Sequence, residues 1–335
     1  MWARPGTLGH AGEVTPKNPI TAGAELPPLD RTLPPWQGGN EEADGVRLHI
    51  RRTDPELSPE GAGTAVYVHG LGGSSTNWTD LGALLAPWGR GLAVDLPGFG
   101  YSEPEPEFDY SLASHAGRLG RFIGGLDTGP VHLLGNSMGG AVAALLAASR
   151  PELVKTLTLI SPAVPDLRPL PSRLSDPRMA LAYLPVVGRS VRRELAAITP
   201  RQRAEQMIRL CFADPSAFPE SRLAELADEH GARRELPWAM AALNRSTADI
   251  VRVWLARGSR SIWTALRNVT APSLVVWGAK DRVVSARKAR RTARTLPRGE
   301  LLMLPRVGHV AQMEQPEAVA RAVLELWQAA DSGDG

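Results

Sequence analysis

The apolar and polar positions of this chain change their rhythm twice, and those changes outline its architecture. Val46–Arg52 alternates apolar and polar residues like an edge strand, residues 65–68, 92–94 and 131–134 are short apolar runs, and 156–160 is the next strand. Such runs, bounded by turn residues, read as buried strands. Between them lie helical stretches: one from about Trp78, one at 111–125 with Leu112, Leu119, Phe122 and Ile123 on one face, and an alanine-rich one at 141–148. Strands alternating with helices at this spacing predict a parallel sheet covered on both faces. From about residue 162 to 260 the pattern turns purely helical, with candidates at 176–184, 189–197, 200–212, 219–232 and 236–256, several opened by Pro, Asp, Ser or Thr. Alternation then resumes with a strand at 273–277, a basic helix at 285–295, a strand at 300–304 and a last helix at 315–330. Residues 1–44 are rich in Pro and Gly and keep no period, so they are expected as an extended arm that Trp36 pins to the core; residues 331–335 should fray.

The tightest turn in this pattern is at residues 135–140. A strand ends at Leu134 and a helix starts at Ala141, leaving Gly135-Asn136-Ser137-Met138-Gly139-Gly140 for the reversal. This fits G-x-S-x-G, a strand–turn–helix in which the serine hydroxyl stands exposed above the sheet. Flanking glycines let neighbouring backbone approach, and the first N–H groups of the helix face any negative charge forming at the serine. Other readings fit less well. Three central glycines with Asn136 and Ser137 would be costly in lipid; a phosphate loop would need lysine and Ser/Thr where Ala141 and Val142 stand; and Ser137 occupies the second glycine position of GxGxxG. A plain glycine turn remains open on this segment alone. Open ends of parallel strands carry sites, and three further residues fall there: His69 in His69-Gly70-Leu71-Gly72-Gly73 after one strand, Asp281 after a later one, and His309 after the last.

Composition narrows the classes of function. The chain has 335 residues, a net charge of +3 and one cysteine, Cys211, which excludes an internal disulfide and suits a reducing cytosol. The first residues lack the apolar core of a secretory signal, so a cytoplasmic location is expected. No basic run with interleaved aromatics points to nucleic acid, and no Cys/His cluster has metal-ligand spacing. Residues 166–262 hold sixteen arginines against eleven acidic residues, about +5. A solvated helical face explains that balance, and a basic lid favouring anionic substrates or a lipid surface is the sharper alternative.

The stretches HGLGG, DLPGFGYS, GNSMGG, WGAKDRVV and GHVAQMEQPE, in this order, resemble the α/β-hydrolase fold superfamily from about residue 46 to 330. The resemblance implies a mostly parallel eight-stranded sheet with helices on both faces and an inserted all-helical cap. The core would comprise 45–161 and 263–330, the cap 162–262, and an N-terminal extension 1–44. It also implies a catalytic triad of Ser137, His309 and Asp281, with the backbone N–H groups of Leu71 and Met138 as the oxyanion hole. His69, Gly70, Gly72 and Gly73 would shape the oxyanion loop, His69 without transferring protons. Asp166 is the fallback acid. His10, His49, His115, His132 and His230 are read as structural or exposed, and Cys211 as packing.

A serine at the elbow separates the chain from the aspartate-nucleophile epoxide hydrolases and haloalkane dehalogenases of that superfamily. The expectation is a serine hydrolase that cleaves a carboxylic ester of a small, largely apolar substrate, with no metal or organic cofactor, no nucleic acid partner and no stable membrane insertion; a homodimer is compatible with the sequence. Apolar cap residues such as Met207, Ile208, Phe212, Trp238 and Leu243 motivate the apolar substrate, and they suit internal cap packing equally well. GNSMGG also resembles the C–C bond hydrolases of vinylogous diketones, although Val310 follows His309 where those enzymes generally carry tryptophan. A ligand-binding receptor with little turnover is the alternative from another class.

Overall fold

The computed structural model describes residues 16–17, 25–32, 34–166, 193 and 197–333. One twisted sheet organises them. Its nine strands are β1 (Pro16–Lys17), β2 (Gly38–Ala43), β3 (Val46–Arg52), β4 (Gly63–Val68), β5 (Gly89–Val94), β6 (Val131–Asn136), β7 (Val154–Ile160), β8 (Ser273–Gly278) and β9 (Gly299–Leu304). They lie side by side in the order β1-β9-β8-β7-β6-β4-β5-β3-β2. The pairs from β5 to β1 are parallel, and β3 runs antiparallel to both β5 and β2. Without the two-residue β1 this is the expected eight-stranded, mostly parallel sheet.

Every residue of β6 and β8 is buried, which requires cover on both faces. One face carries α2 (Leu112–Gly124), α3 (Met138–Ser149), α7 (Ile262–Arg267) and α8 (Ala289–Thr295), whose Leu119, Phe122, Val142, Leu146, Leu266 and Ala293 share a core with Val66, Leu133, Leu157 and Val275. The other carries α1 (Thr79–Leu85), α9 (Ala311–Glu314) and α10 (Pro316–Asp331), where Leu81, Leu84, Val319, Val323 and Trp327 pack on Tyr67, Leu134, Val276 and Leu302. Burying each such side chain contributes about 1.5–3 kcal/mol.

The arm expected over residues 1–44 needs correction at its end. The sheet begins at Gly38, because β2 pairs along its whole length with β3 through the two-residue turn Asp44-Gly45. Both turn residues have positive φ, 46° and 66°, the conformation that an Asp-Gly hairpin turn supplies. β2 reads GGNEEA, an exposed edge with no apolar rhythm to reveal it. Trp36 does pin the preceding segment: a Cβ built on Gly82 of α1 would lie 2.6 Å from its ring. Leu26 and Leu29 pack on the same face.

In the segment expected as the cap, three helices are described: α4 (Pro200–Cys211), α5 (Glu220–Arg234) and α6 (Ala239–Leu255). Thr199 and Gln202 close a capping box at the start of α4, which stops its first N–H groups from going unpaired. The helix expected at 176–184 lies outside the described residues, and of that expected at 189–197 only Arg193 and Ala197 are described, the Ala197 N–H donating to the Arg193 carbonyl at 3.0 Å. Among the described residues no helix is long and apolar enough to cross a membrane; α3, the most apolar, has twelve residues.

Candidate active site

Sterics set Ser137 first. It joins β6 to α3 with φ 53° and ψ −116°, a region that costs a residue with a Cβ about 1–3 kcal/mol. The surroundings over-determine it: its N–H donates to the Ile160 carbonyl at 3.0 Å, and its own carbonyl accepts from Ala163 N–H at 2.8 Å and Ala141 N–H at 3.1 Å. A Cβ on Gly139 would run into the Val68 and His69 carbonyls, and one on Gly135 into the Gly139 carbonyl. Both glycines of the motif are therefore needed for close approach. Met138, fully buried, opens α3, so its N–H has no acceptor within the helix.

His309 and Asp281 meet across the ends of β9 and β8. His309 Nδ1 is 2.9 Å from Asp281 Oδ2, with the carboxylate fully enclosed and the imidazole 5% exposed. The other carboxylate oxygen accepts from the Val283 and Val284 N–H groups at 2.8 and 3.0 Å, which leaves Oδ2 for the histidine. Asp166, the fallback acid, is employed elsewhere: its Oδ2 accepts the Ser285 N–H at 2.8 Å. Asn136, beside Ser137, donates from Nδ2 to the carbonyls of His309 and Ile160, both at 3.1 Å. It ties the histidine loop to the serine turn.

His69 braces the loop after β4 through both ring nitrogens. Leu96 N–H donates to its Nε2 at 3.0 Å, which places the ring proton on Nδ1, 2.7 Å from the Gly70 carbonyl. Burial, opposed by the field of Asp95, keeps its pKa below the usual value, so this imidazole is neutral. The Gly70 carbonyl also accepts the Gly73 N–H at 3.0 Å, and a Cβ on Gly70 would stand 3.1 Å from Ser137 Cβ. Leu71 thus sits on a loop pressed against the serine.

Under that loop, Asp95 is a buried hub. Burial alone would raise its carboxyl, but bonds from His49 at 2.8 Å, Tyr101 N–H at 3.0 Å and Ser75 N–H at 2.6 Å hold it below the usual carboxylate range. His49 is structural accordingly, as are His115, near Ser246 and Phe108, and His132, bonded to Thr156 and stacked on Trp327.

The end of α4 rests directly on the histidine loop. His309 N–H donates to the Cys211 carbonyl at 2.6 Å, at the end of α4. Glu314 bridges the two parts, accepting Gly308 N–H at 2.7 Å and Ala213 N–H at 3.0 Å. Val310, Ile208 and Phe212 form a small apolar cluster with Phe218 and Leu223 around it, so these cap residues serve packing. Burial and the nearby Asp281 and Glu314 push the Cys211 thiol up to about 12, which keeps it protonated. Sequence reading missed Asn136 and Glu314 as site residues although both stand inside the matching motifs. Among the described residues no His/Cys/Asp/Glu group could hold a metal ion.

Sheet order, elbow and the three converging loops define a family. The chain belongs to the alpha/beta hydrolase fold family, whose profile matches residues 66–316. It is 32% identical over 279 residues to the dihydrolipoyllysine-residue acetyltransferase component of an acetoin cleaving system from Pseudomonas putida; the match covers 80% of this chain and only 64% of that relative's length. It is 29% identical to a 2-hydroxy-6-oxononadienedioate/2-hydroxy-6-oxononatrienedioate hydrolase from Cupriavidus pinatubonensis, covering 84% and 90% of the two chains. To monoacylglycerol lipase abhd6-B from Xenopus laevis it is 27% identical, covering 81% and 77%.

Proposed function

We propose that the protein is a serine hydrolase that cleaves carboxylic esters of small, largely apolar substrates through an acyl-enzyme. The observation that carries this is the His309–Asp281 pair, 2.9 Å long and enclosed, tied by Asn136 to the strained turn of Ser137. His309, its Nδ1 proton held by Asp281, takes the Ser137 proton on Nε2 as Oγ attacks the ester carbonyl. The oxyanion forms against the N–H groups of Leu71 and Met138; losing one such donor typically costs about 10² to 10³ in rate. Collapse expels the alcohol with the proton from His309, and water activated by the same imidazole releases the acid. Kinship with a monoacylglycerol lipase supports the ester.

C–C bond hydrolysis is the second reading, favoured by the relative that hydrolyses a 2-hydroxy-6-oxo dienedioate. Val310, packed against Ile208 and Phe212, offers no aromatic ring after the histidine and weighs toward the ester. The test is fluorophosphonate labelling of wild type beside Ser137→Ala, followed by turnover of nitrophenyl esters of increasing chain length and of a 2-hydroxy-6-oxo dienoate. Labelling that requires Ser137, with ester turnover, is expected. A folded wild type that neither labels nor turns over points to the ligand-binding alternative.

A further inference from the structure

Two charged residues of the cap reach the loop that faces Ser137. Glu229 and Arg233 stand one turn apart on α5, with Nη1 and Oε1 3.3 Å apart and side chains 6% and 12% exposed. Glu229 Oε2 accepts the Thr76 hydroxyl at 3.0 Å. Arg233 Nη2 donates to the Gly72 carbonyl at 2.8 Å. One enclosed ion pair therefore holds the loop after β4 at two points, residues 72 and 76.

Enclosing an ion pair is weak evidence for stability, since desolvation offsets most of the attraction. Its geometry says more. Gly70, Leu71, Gly72 and Gly73 form the loosest backbone around Ser137, three glycines in four residues, and Gly72 has φ +73°. The core fixes one end, because the Gly70 carbonyl takes bonds from His69 and Gly73. The carbonyl two residues on, Gly72, takes the Arg233 bond from the cap. Leu71 lies between these two fixed carbonyls. On the other cap helix facing this loop, Leu243 is the neighbour of Gly72, its Cδ1 3.8 Å from a Cβ built there.

We propose that Arg233, oriented by Glu229, is a positioning residue that fixes the Leu71 peptide for oxyanion binding, so that docking of the cap completes the oxyanion hole. This rests on the serine-hydrolase reading above. A guanidinium donating to a carbonyl is a charge-assisted bond, and it replaces freedom that glycine would otherwise keep. The pair contributes to the transition state and not to substrate affinity.

The experiment compares the full-length wild type with Arg233→Met, Arg233→Lys, the charge-free double variant Glu229→Leu/Arg233→Met, and Arg257→Ala as a control for loss of an exposed cap arginine. Each is assayed well below its melting temperature for kcat and KM on a short nitrophenyl ester, for the rate of fluorophosphonate labelling, and for affinity to an arylboronic acid. That probe accepts the Ser137 oxygen at boron while His309 takes the proton, giving a tetrahedral oxyanion mimic. In Arg233→Met and the double variant kcat should fall about 10- to 100-fold, the scale of a misplaced oxyanion donor, with KM within about twofold. Boronate affinity and labelling rate should fall in parallel. Arg233→Lys, which keeps a charged donor, should stay within about fivefold of wild type, and Arg257→Ala should match it. A folded double variant that keeps kcat and boronate affinity would overturn the inference, as would a rise in KM alone, which would mean that Arg233 contacts substrate. A wild type that is folded and unlabelled by fluorophosphonate would instead remove the serine-hydrolase reading, and the inference with it.

Discussion

Asp281 is a carboxylate with each oxygen already assigned, and that makes its substitution informative. An asparagine there can keep its oxygen on the Val283 and Val284 N–H groups, but its amide then presents N–H to His309 Nδ1. The imidazole must carry its proton on Nε2, the wrong side for a base facing Ser137. Asp281→Asn should lower kcat by about 10³ to 10⁴ while circular dichroism and melting temperature barely change; activity within tenfold of wild type would reassign the acid. Asn136→Leu probes the neighbouring tie. It leaves the carbonyls of Ile160 and His309 without this donor, and a buried group left unpaired costs about 1–3 kcal/mol. Both stability and kcat should fall, because His309 loses its tether to the serine turn; a change in stability alone would confine Asn136 to the fold. The places of Ser137, Asp281 and His309 after the ends of β6, β8 and β9 were legible in the sequence, because a strand end is a local property. The partners of Asn136 were not, since the bond from residue 136 to residue 309 exists only after the sheet has assembled.

Among the elements, α2 carries three glycines, two of them in unlike surroundings. Gly117 is exposed, and a Cβ there meets nothing within 4 Å; a Cβ on Gly120 would lie 2.8 Å from Leu146 Cδ1 of α3. Helical glycine costs about 0.5–1 kcal/mol relative to alanine. Gly117→Ala should therefore raise stability by roughly that amount in urea unfolding. Gly120→Ala should gain less or lose, because α3 must shift a side chain to admit the methyl; equal gains at both sites would mean that α2 and α3 are not in close contact. The same contrast explains which elements the sequence disclosed. β4, β6, β7 and β8 are buried along nearly their whole length and announced themselves, whereas β2 is an exposed polar edge whose signal lay in Asp44-Gly45 alone. α7 and α9, six and four residues long, are too short for a helical period. Glu314 on α9 and Arg233 on α5 looked like ordinary solvated charges, because only tertiary contact with the loops after β9 and β4 distinguishes them.

The whole molecule has a titration behaviour that no single site sets. Burial depresses His115 to about 3 and His132 to about 4, both beside apolar rings, and it lowers His69 as well. A histidine with a folded pKa below its unfolded value of about 6.5 is neutral in the native protein while the unfolded chain takes up the proton. Its contribution to stability is thus complete above that value and is lost as pH falls toward the folded pKa. Each such group removes about 1.4 kcal/mol per pH unit inside the window. His115 and His132 alone should therefore cost about 1.4 kcal/mol each between pH 7.5 and 5.5. Asp95, held below its usual value by its bonds, adds a loss only below about pH 4, its unfolded range. Glu314, raised mainly by burial, acts in the opposite sense, because an acid with a raised folded pKa binds its proton preferentially in the native state. It is one group against several, so the urea midpoint should fall steadily from pH 7.5 to 5.5. His132→Gln should lessen that slope by about the share of one group even if it lowers stability at neutral pH. A midpoint that stays flat across this range would mean that these imidazoles are protonated in the folded protein, and that the packing of α10 on β6 through Trp327 and His132 is looser than the stacked rings, 4.2 Å apart, imply.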